Sequence, residues 1–171
     1  MTVLRGVAVT LRPPTAADVP ALAEIRGKPA VLERWGGGDD PVANVESDFA
    51  EDGAMPYVIE LDDRVVGWIQ YFEEHETDYR HAAIDIYVDP AVHGRGVGTD
   101  ALRTLARHLI ADRGHHRLTI DPAADNEIAI RSYTKVGFRP VGVMRRYERG
   151  RDGTWHDGLL MDLLAGELTD E

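Results

Sequence analysis

Three glycines alternate with other residues in His93-Gly94-Arg95-Gly96-Val97-Gly98-Thr99, directly before an amphipathic stretch. Glycine lets a backbone take up left-handed conformations and approach a ligand closely. A helix N-terminus adds unpaired N–H groups and the positive end of the helix dipole. The run therefore suits a phosphate or pyrophosphate, although a purely structural strand-to-helix connection uses the same composition. It is not a Rossmann fingerprint, because Gly-x-Gly-x-x-Gly counted from Gly94 ends on Thr99. Without Gly-Lys-Ser/Thr it is not a nucleotide-hydrolysing loop either. Just upstream, Asp85 interrupts the apolar run Ala82-Ala83-Ile84-Asp85-Ile86-Tyr87-Val88. Strand alternation puts Ile84, Ile86 and Val88 on one face and Asp85 and Tyr87 on the other. A carboxylate buried there without a partner is costly, so Asp85 faces a wet cleft, holds a cation, or is satisfied by a neighbouring arginine.

These residues need elements to hold them. Val7, Val9 and Leu11 alternate with smaller or polar residues and stop at Pro13-Pro14, which predicts a strand. A helix follows, with Asp18 as N-cap, Pro20 in its first turn and Gly27 as its stop. A weaker helical segment runs from Pro41 to Asp52. Tyr57 to Leu61 and Val65 to Glu73 flank Asp62-Asp63 as a hairpin, and Ala82 to Val88 is the next strand. Leu102, Leu105, Ala106, Leu109 and Ile110 fall at helical spacing, so Thr99 to Arg113 is an amphipathic helix stopped by Gly114. Arg117 to Asp121 reads as a short strand. Asp125 then caps a helix from Asn126 to Val136, and Val141 to Arg149 and Trp155 to Leu164 flank an Asp152-Gly153 turn. Strands and helices so interleaved, with no linker or repeat, predict one domain over residues 1–171, a mixed sheet with helices on its faces.

Composition narrows the function. A chain of 171 residues, 43% hydrophobic and 29% charged, can bury its own core. Having no cysteine, it can have no disulfide, thiolate metal site or cysteine nucleophile. No apolar run suggests a membrane span and the first residues do not read as a leader, so a cytoplasmic protein is expected. The net charge of −11 disfavours nucleic acid as a partner. Residues 36–85 hold 14 acids and two bases, which leaves the remaining 121 residues at +1. Such a regional field attracts polycations, though it also fits a solvated acidic face that keeps the protein soluble.

The run His93 to Gly98 resembles the acyl-coenzyme A signature of the GCN5-related N-acetyltransferases, Gln/Arg-x-x-Gly-x-Gly/Ala, with His93 at the position of Gln or Arg. Asn126, Ala129, Tyr133 and Gly137-Phe138 resemble that family's second signature at the proper separation. Within the family, Arg34-Trp35-Gly36-Gly37, Gly67-Trp68-Ile69-Gln70, Ile84-Asp85 and Asp121-Pro122 with the helix that follows are most similar to aminoglycoside 6'-N-acetyltransferases. The resemblance spans about Val9 to Leu164. It implies an α+β fold with a mainly antiparallel central sheet and helices on both faces, acetyl-CoA as cofactor, and no nucleic acid or membrane partner.

Acetyl transfer to an amine needs a neutral amine beside the thioester, donors for the developing oxyanion, and a proton for the departing thiolate. The resemblance implies that Asp85 holds the substrate ammonium and accepts its proton, directly or through water. It further implies that Tyr133 protonates the thiolate. A hydroxyl of pKa near ~10 is a credible donor for that step. Spacing alone equally allows Tyr133 to be a core aromatic beside Ile130 and Val136. Cofactor contacts are implied for the backbone at Ile86, Tyr87 and Val88, for His93, Gly94, Arg95, Gly96, Val97, Gly98 and Thr99, and for Asn126 and Ala129. Trp35, Glu74 and Asp121 join Asp85 as candidates for the acceptor: Trp35 as a flat aromatic on a glycine-rich mobile loop or an anchor in the core, the two acids as carboxylates at strand ends or as solvated charges. His75, His81, His115 and His116 lack ligand spacing, so no metal is expected. The leading expectation is N-acetylation of a small polyamine, an aminoglycoside 6'-amine, by a monomer or homodimer. Acetylation of peptide or ribosomal-protein N-termini and a catalytically idle acyl-CoA-binding module are the alternatives.

Overall fold

The computed structural model describes residues 1–170. Eight strands form one sheet: β1 (Leu4–Arg5), β2 (Val9–Arg12), β3 (Met55–Leu61), β4 (Arg64–Glu74), β5 (His81–Val88), β6 (Arg117–Ile120), β7 (Arg139–Arg149) and β8 (Trp155–Leu164). Their spatial order is β1-β2-β3-β4-β5-β6-β8-β7, antiparallel at every step except β5 with β6. Helices α1 (Val19–Arg26), α2 (Pro29–Trp35), α3 (Pro41–Phe49), α4 (Val97–Ala111) and α5 (Glu127–Val136) complete the chain's main elements. The α+β architecture is the one expected. Among the described residues no helix is long and apolar enough to cross a membrane.

Strand alternation feeds two cores, one on each face of the sheet. On one face, Leu102, Leu105 and Leu109 of α4 pack with Ile69, Ile84 and Leu118. On the other, Leu22, Ile25 and Val45 of α1 and α3 pack with Val58, Trp68 and Tyr87. The Asp62-Asp63 turn takes φ of 50° and 60°, a left-handed pair that matches the twist of a two-residue hairpin.

Several boundaries differ from the sequence reading. Val7 lies before β2 and is 94% exposed, because the chain there passes over the start of α4 rather than pairing. Asp18 sits at the N-cap of α1 but does not cap it; its carboxylate is taken by Arg12 at 2.7 and 2.9 Å. Helix α2 was not anticipated, since seven residues opened by a proline show little periodicity. Helix α3 ends at Phe49, short of Asp52. The N-cap of α5 is Asn126, whose side chain accepts from Ala129 N, while Asp125 pairs with Arg34. His115 follows the Gly114 stop, and its ring is buried with Nε2 2.7 Å from Glu73.

The N-terminal segment is fastened to α4 by one carboxylate. Asp100 accepts from the N–H groups of Val7, Ala8 and Val9 at 3.0, 2.7 and 3.0 Å. Gly6 is required for this approach, because a β-carbon there would lie 2.7 Å from Asp100 Oδ2. Replacing Asp100 by alanine leaves the buried Val9 amide unpaired and gives the exposed Val7 and Ala8 amides to water, and is expected to cost on the order of 2 kcal/mol, measurable by urea unfolding.

Candidate active site

Parallel β5 and β6 pair only at Ala82 with Leu118 and at Ala83 with Thr119. From Ile84 to Val88, the β5 edge turned toward β6 therefore has no strand partner. The strands part to open a cleft of about 1190 Å³, large enough for an extended ligand and a second small molecule.

One end of the cleft is the glycine loop. Gly94 and Gly96 both adopt φ of 77°, which side-chain-bearing residues avoid, and the space a β-carbon would enter is open at each. Helix α4 starts at Val97, two residues earlier than anticipated, so Gly98 and Thr99 lie within its first turn. The first α-helical bond runs from Asp100 N to Gly96 O, leaving the N–H groups of Val97, Gly98 and Thr99 free for an anion. Asp89, which precedes the loop, is occupied by Lys28 Nζ at 2.6 Å, and the Asp100 carboxylate in the first turn of α4 is turned to the Val7–Val9 amides. These features fit a pyrophosphate. His93, Gly94, Gly96, Val97, Gly98 and Thr99 line the cleft, as do Ile86, Tyr87, Val88, Asn126 and Ala129, whereas exposed Arg95 does not. Thr99 and Ser132 share a hydroxyl hydrogen bond at 2.8 Å, tying α4 to α5 across the cleft floor.

The other end is acidic. Trp68 Nε1 donates to Gln70 Oε1 at 2.9 Å, which turns the Gln70 amide toward two carboxylates. Gln70 Nε2 donates to Glu51 at 2.8 Å and approaches Asp85 Oδ2 at 3.5 Å. Burial, then the charge of Asp121, pushes the Asp85 carboxyl from 3.8 up to about 6; Gln70 offsets part of this, and Glu51 and Glu148 add to it. Asp121 is itself raised by burial and drawn back by a hydrogen bond from the Tyr147 hydroxyl. Tyr133 lines the same space, and burial and the charges of Asp85 and Asp121 raise its hydroxyl well above the ordinary value. Its proton is thereby held in place.

Of the sequence candidates, Asp85, Tyr133, Asp121 and Trp35 converge on this end. Trp35 ends α2 rather than sitting in a loop; its indole N–H donates to Asp48 and its ring meets Tyr87 edge-on at 4.9 Å. Glu74 does not join them. It is exposed four residues along β4 from Gln70, outside the cleft lining, and accepts from Glu76 N. The acidic segment 36–85 does not line the cleft as a block: Asp48, Glu51 and Asp85 do, while Glu60 and Glu73 pair with Arg12 and Arg113 elsewhere. Sequence reasoning missed Glu51, Gln70, Tyr147 and Glu148. Gln70 alone left a signal, a polar residue inside the apolar run of β4.

The family profile of the acetyltransferase (GNAT) domain matches residues 8–139. This chain belongs to that family. Aminoglycoside N(6')-acetyltransferase type 1 of Klebsiella pneumoniae is 29% identical over 153 residues, 80% of this chain and 76% of that relative. AAC(6')-Ib, solved with ribostamycin and coenzyme A, is 28% identical with a TM-score of 0.77, over 96% of this chain and 98% of the other. Mycobacterium smegmatis RimJ, solved with CoA-disulfide, is 28% identical with a TM-score of 0.82, over 99% of this chain and 89% of the other. The chain is an N-acetyltransferase that uses acetyl-CoA.

Two outcomes follow from the geometry. Gly96→Val forces a branched residue to φ of 77° without a core clash, so the variant should fold while its calorimetric affinity for acetyl-CoA falls at least ~10-fold. The folded-state pKa of Asp85 exceeds the unfolded value, so the native state binds that proton more tightly and loses stability as pH rises from 3.8 through about 6. Asp85→Asn removes this cost. At pH 8 it should be more stable than the wild type by on the order of 2 kcal/mol, with the difference vanishing below pH 4 in denaturant titrations.

Proposed function

We propose that this enzyme acetylates a primary amine of a small polycationic acceptor, specifically the 6'-amine of an aminoglycoside. The observation that carries this reading is the cluster of Asp85, Asp121, Glu51 and Glu148 in the cleft lining, where Arg12, Arg26 and Arg113 pair with other acids and, among the described residues, neither Asp85 nor Asp121 forms an ion pair. The aminoglycoside acetyltransferases at 28–29% identity support the same acceptor class.

Bound acetyl-CoA supplies an activated acetyl thioester. The free N–H groups at the start of α4 would hold its pyrophosphate, and alternate amides of the unpaired β5 edge from Ile86 to Val88 would pair with its pantetheine arm. Asp85, ionised above about pH 6, draws the acceptor ammonium into place and takes its proton, directly or through water. Tyr133 keeps its proton at neutral pH and is the donor at the sulfur that leaves.

Asp85→Asn should retain acetyl-CoA binding yet depress acceptor turnover by on the order of 100-fold, and Tyr133→Phe should lower kcat with little change in KM. In the wild type, kcat/KM should fall as pH drops through about 6. Free-thiol release with kanamycin should also weaken as salt screens the acidic end. A screen in which peptide N-termini react and every aminoglycoside fails would sink the acceptor assignment. Near wild-type turnover in Asp85→Asn would make another group the base.

A further inference from the structure

The β7–β8 ladder breaks beside the acceptor end of the cleft. Met144 stands opposite Gly158 and Glu148 opposite His156, so Arg145, Arg146 and Tyr147 together face Asp157 alone. This is a bulge of two extra residues, a device that re-aims side chains at the rim of a site. Arg146 is held in it at φ of 49°, in the left-handed region. Its N–H has no ladder partner and donates instead to Asp157 Oδ1 at 2.7 Å. Asp157 is fixed from the other side as well. Its carbonyl accepts from Ala124 N at 2.9 Å, and Leu159 N donates to Pro122 O at 2.8 Å, so this stretch of β8 is laced to the loop that follows Asp121.

The bulge has a seat for one of the residues it projects. A β-carbon on Gly158 would lie 3.1 Å from Cδ1 of Tyr147, so the tyrosine ring rests on bare backbone. From that seat Tyr147 reaches the cleft lining beside Asp121, and Glu148 follows it there. With one ammonium at Asp85, the carboxylates of Asp121 and Glu148 are left for a second.

We propose that Asp157 is the positioning residue for acceptor specificity: by holding the Arg146 bulge it places Tyr147 and Glu148 so that acceptors with a second ammonium are preferred over monoamines. This rests on the polycationic acceptor proposed above. Without the Asp157 acceptor, Arg146 relaxes from its left-handed conformation and the two side chains swing out of register, while Asp85 on β5, Tyr133 on α5 and the cofactor loop, on other elements, keep their places.

The test compares kcat/KM for kanamycin with that for 6-amino-6-deoxyglucose, which presents a like amine on a ring with no second cation. In Asp157→Ala the preference for kanamycin should fall at least ~10-fold, through KM for kanamycin, with the monoamine value and the acetyl-CoA Kd within ~2-fold of wild type. Asp157→Asn retains the acceptor oxygen and should keep the preference. Adding Arg146→Gly to Asp157→Ala should restore much of it, because glycine holds φ of 49° without strain. If Asp157→Ala does not fold, Gly158→Val, whose branched side chain fills the space under the Tyr147 ring and Met144 and is aimed at that seat rather than at the Arg146 bond, must lower the same preference. An unchanged preference in the folded variant tested, or an equal loss on both acceptors, overturns the role of Asp157 while leaving the acceptor class standing. No turnover of kanamycin by the wild type overturns the acceptor class and this role together.

Discussion

The site depends on two parallel strands that stop pairing. β5 pairs with β6 only at Ala82 and Ala83, and beyond them every other residue of β5 turns its N–H and C=O to an edge that the sheet leaves unsatisfied. An unpaired edge in a sheet interior is costly unless water or a ligand meets it. Here it forms one wall of the cleft, between the free N–H groups of α4 and the second-signature helix α5. The parting of β5 and β6 also separates Asp85 from Asp121 enough to leave space between them. The same break thus makes room for both substrates.

Around that space the protein tolerates a concentration of negative charge that lowers its own stability. Asp85 and Asp121 both have raised pKa values, and burial is the leading cause in each. Among the described residues the neutral Gln70 amide, oriented by Trp68, is the donor that reaches Asp85, and it is shared with Glu51. A cationic partner at that position would stabilise the free enzyme but compete with an ammonium substrate. The arrangement is that of a site whose counter-ion arrives with the acceptor.

Nearby charges with structural roles are paired instead. Asp48 accepts from Arg26 Nε at 2.8 Å and from the Trp35 indole, while Arg26 also donates to Gly36 O at 2.7 Å. The Arg26 guanidinium lies about 6 Å from the Trp35 and Tyr87 ring centres. This buried knot joins α1, α3 and the end of α2, and so fixes the aromatic wall of the cleft. Breaking one partner would leave an uncompensated buried charge, which is more costly than the pair is stabilising.

Local rules were enough to read the strands, the two long helices and the glycine loop, because alternation, helical spacing and glycine's backbone freedom act over a few residues. They also marked Asp85, since a carboxylate in an apolar strand contradicts its own surroundings, and the two signatures drew Tyr133 and Asn126 to the same site. Three kinds of feature escaped. Asp18 looked like a cap because its sequence position is right, but Arg12 across the fold competes for its carboxylate. Glu74 and Asp121 read alike as strand-end acids; only the parting of β5 and β6 put one in the cleft and the other outside it. Tyr147 and Glu148 carried no signal because the bulge that aims them interrupts the period by which a strand is read. The sequence alone determined which residues could do the chemistry. Which carboxylates gather at one point was decided by contacts between segments far apart in the chain, where no local period applies.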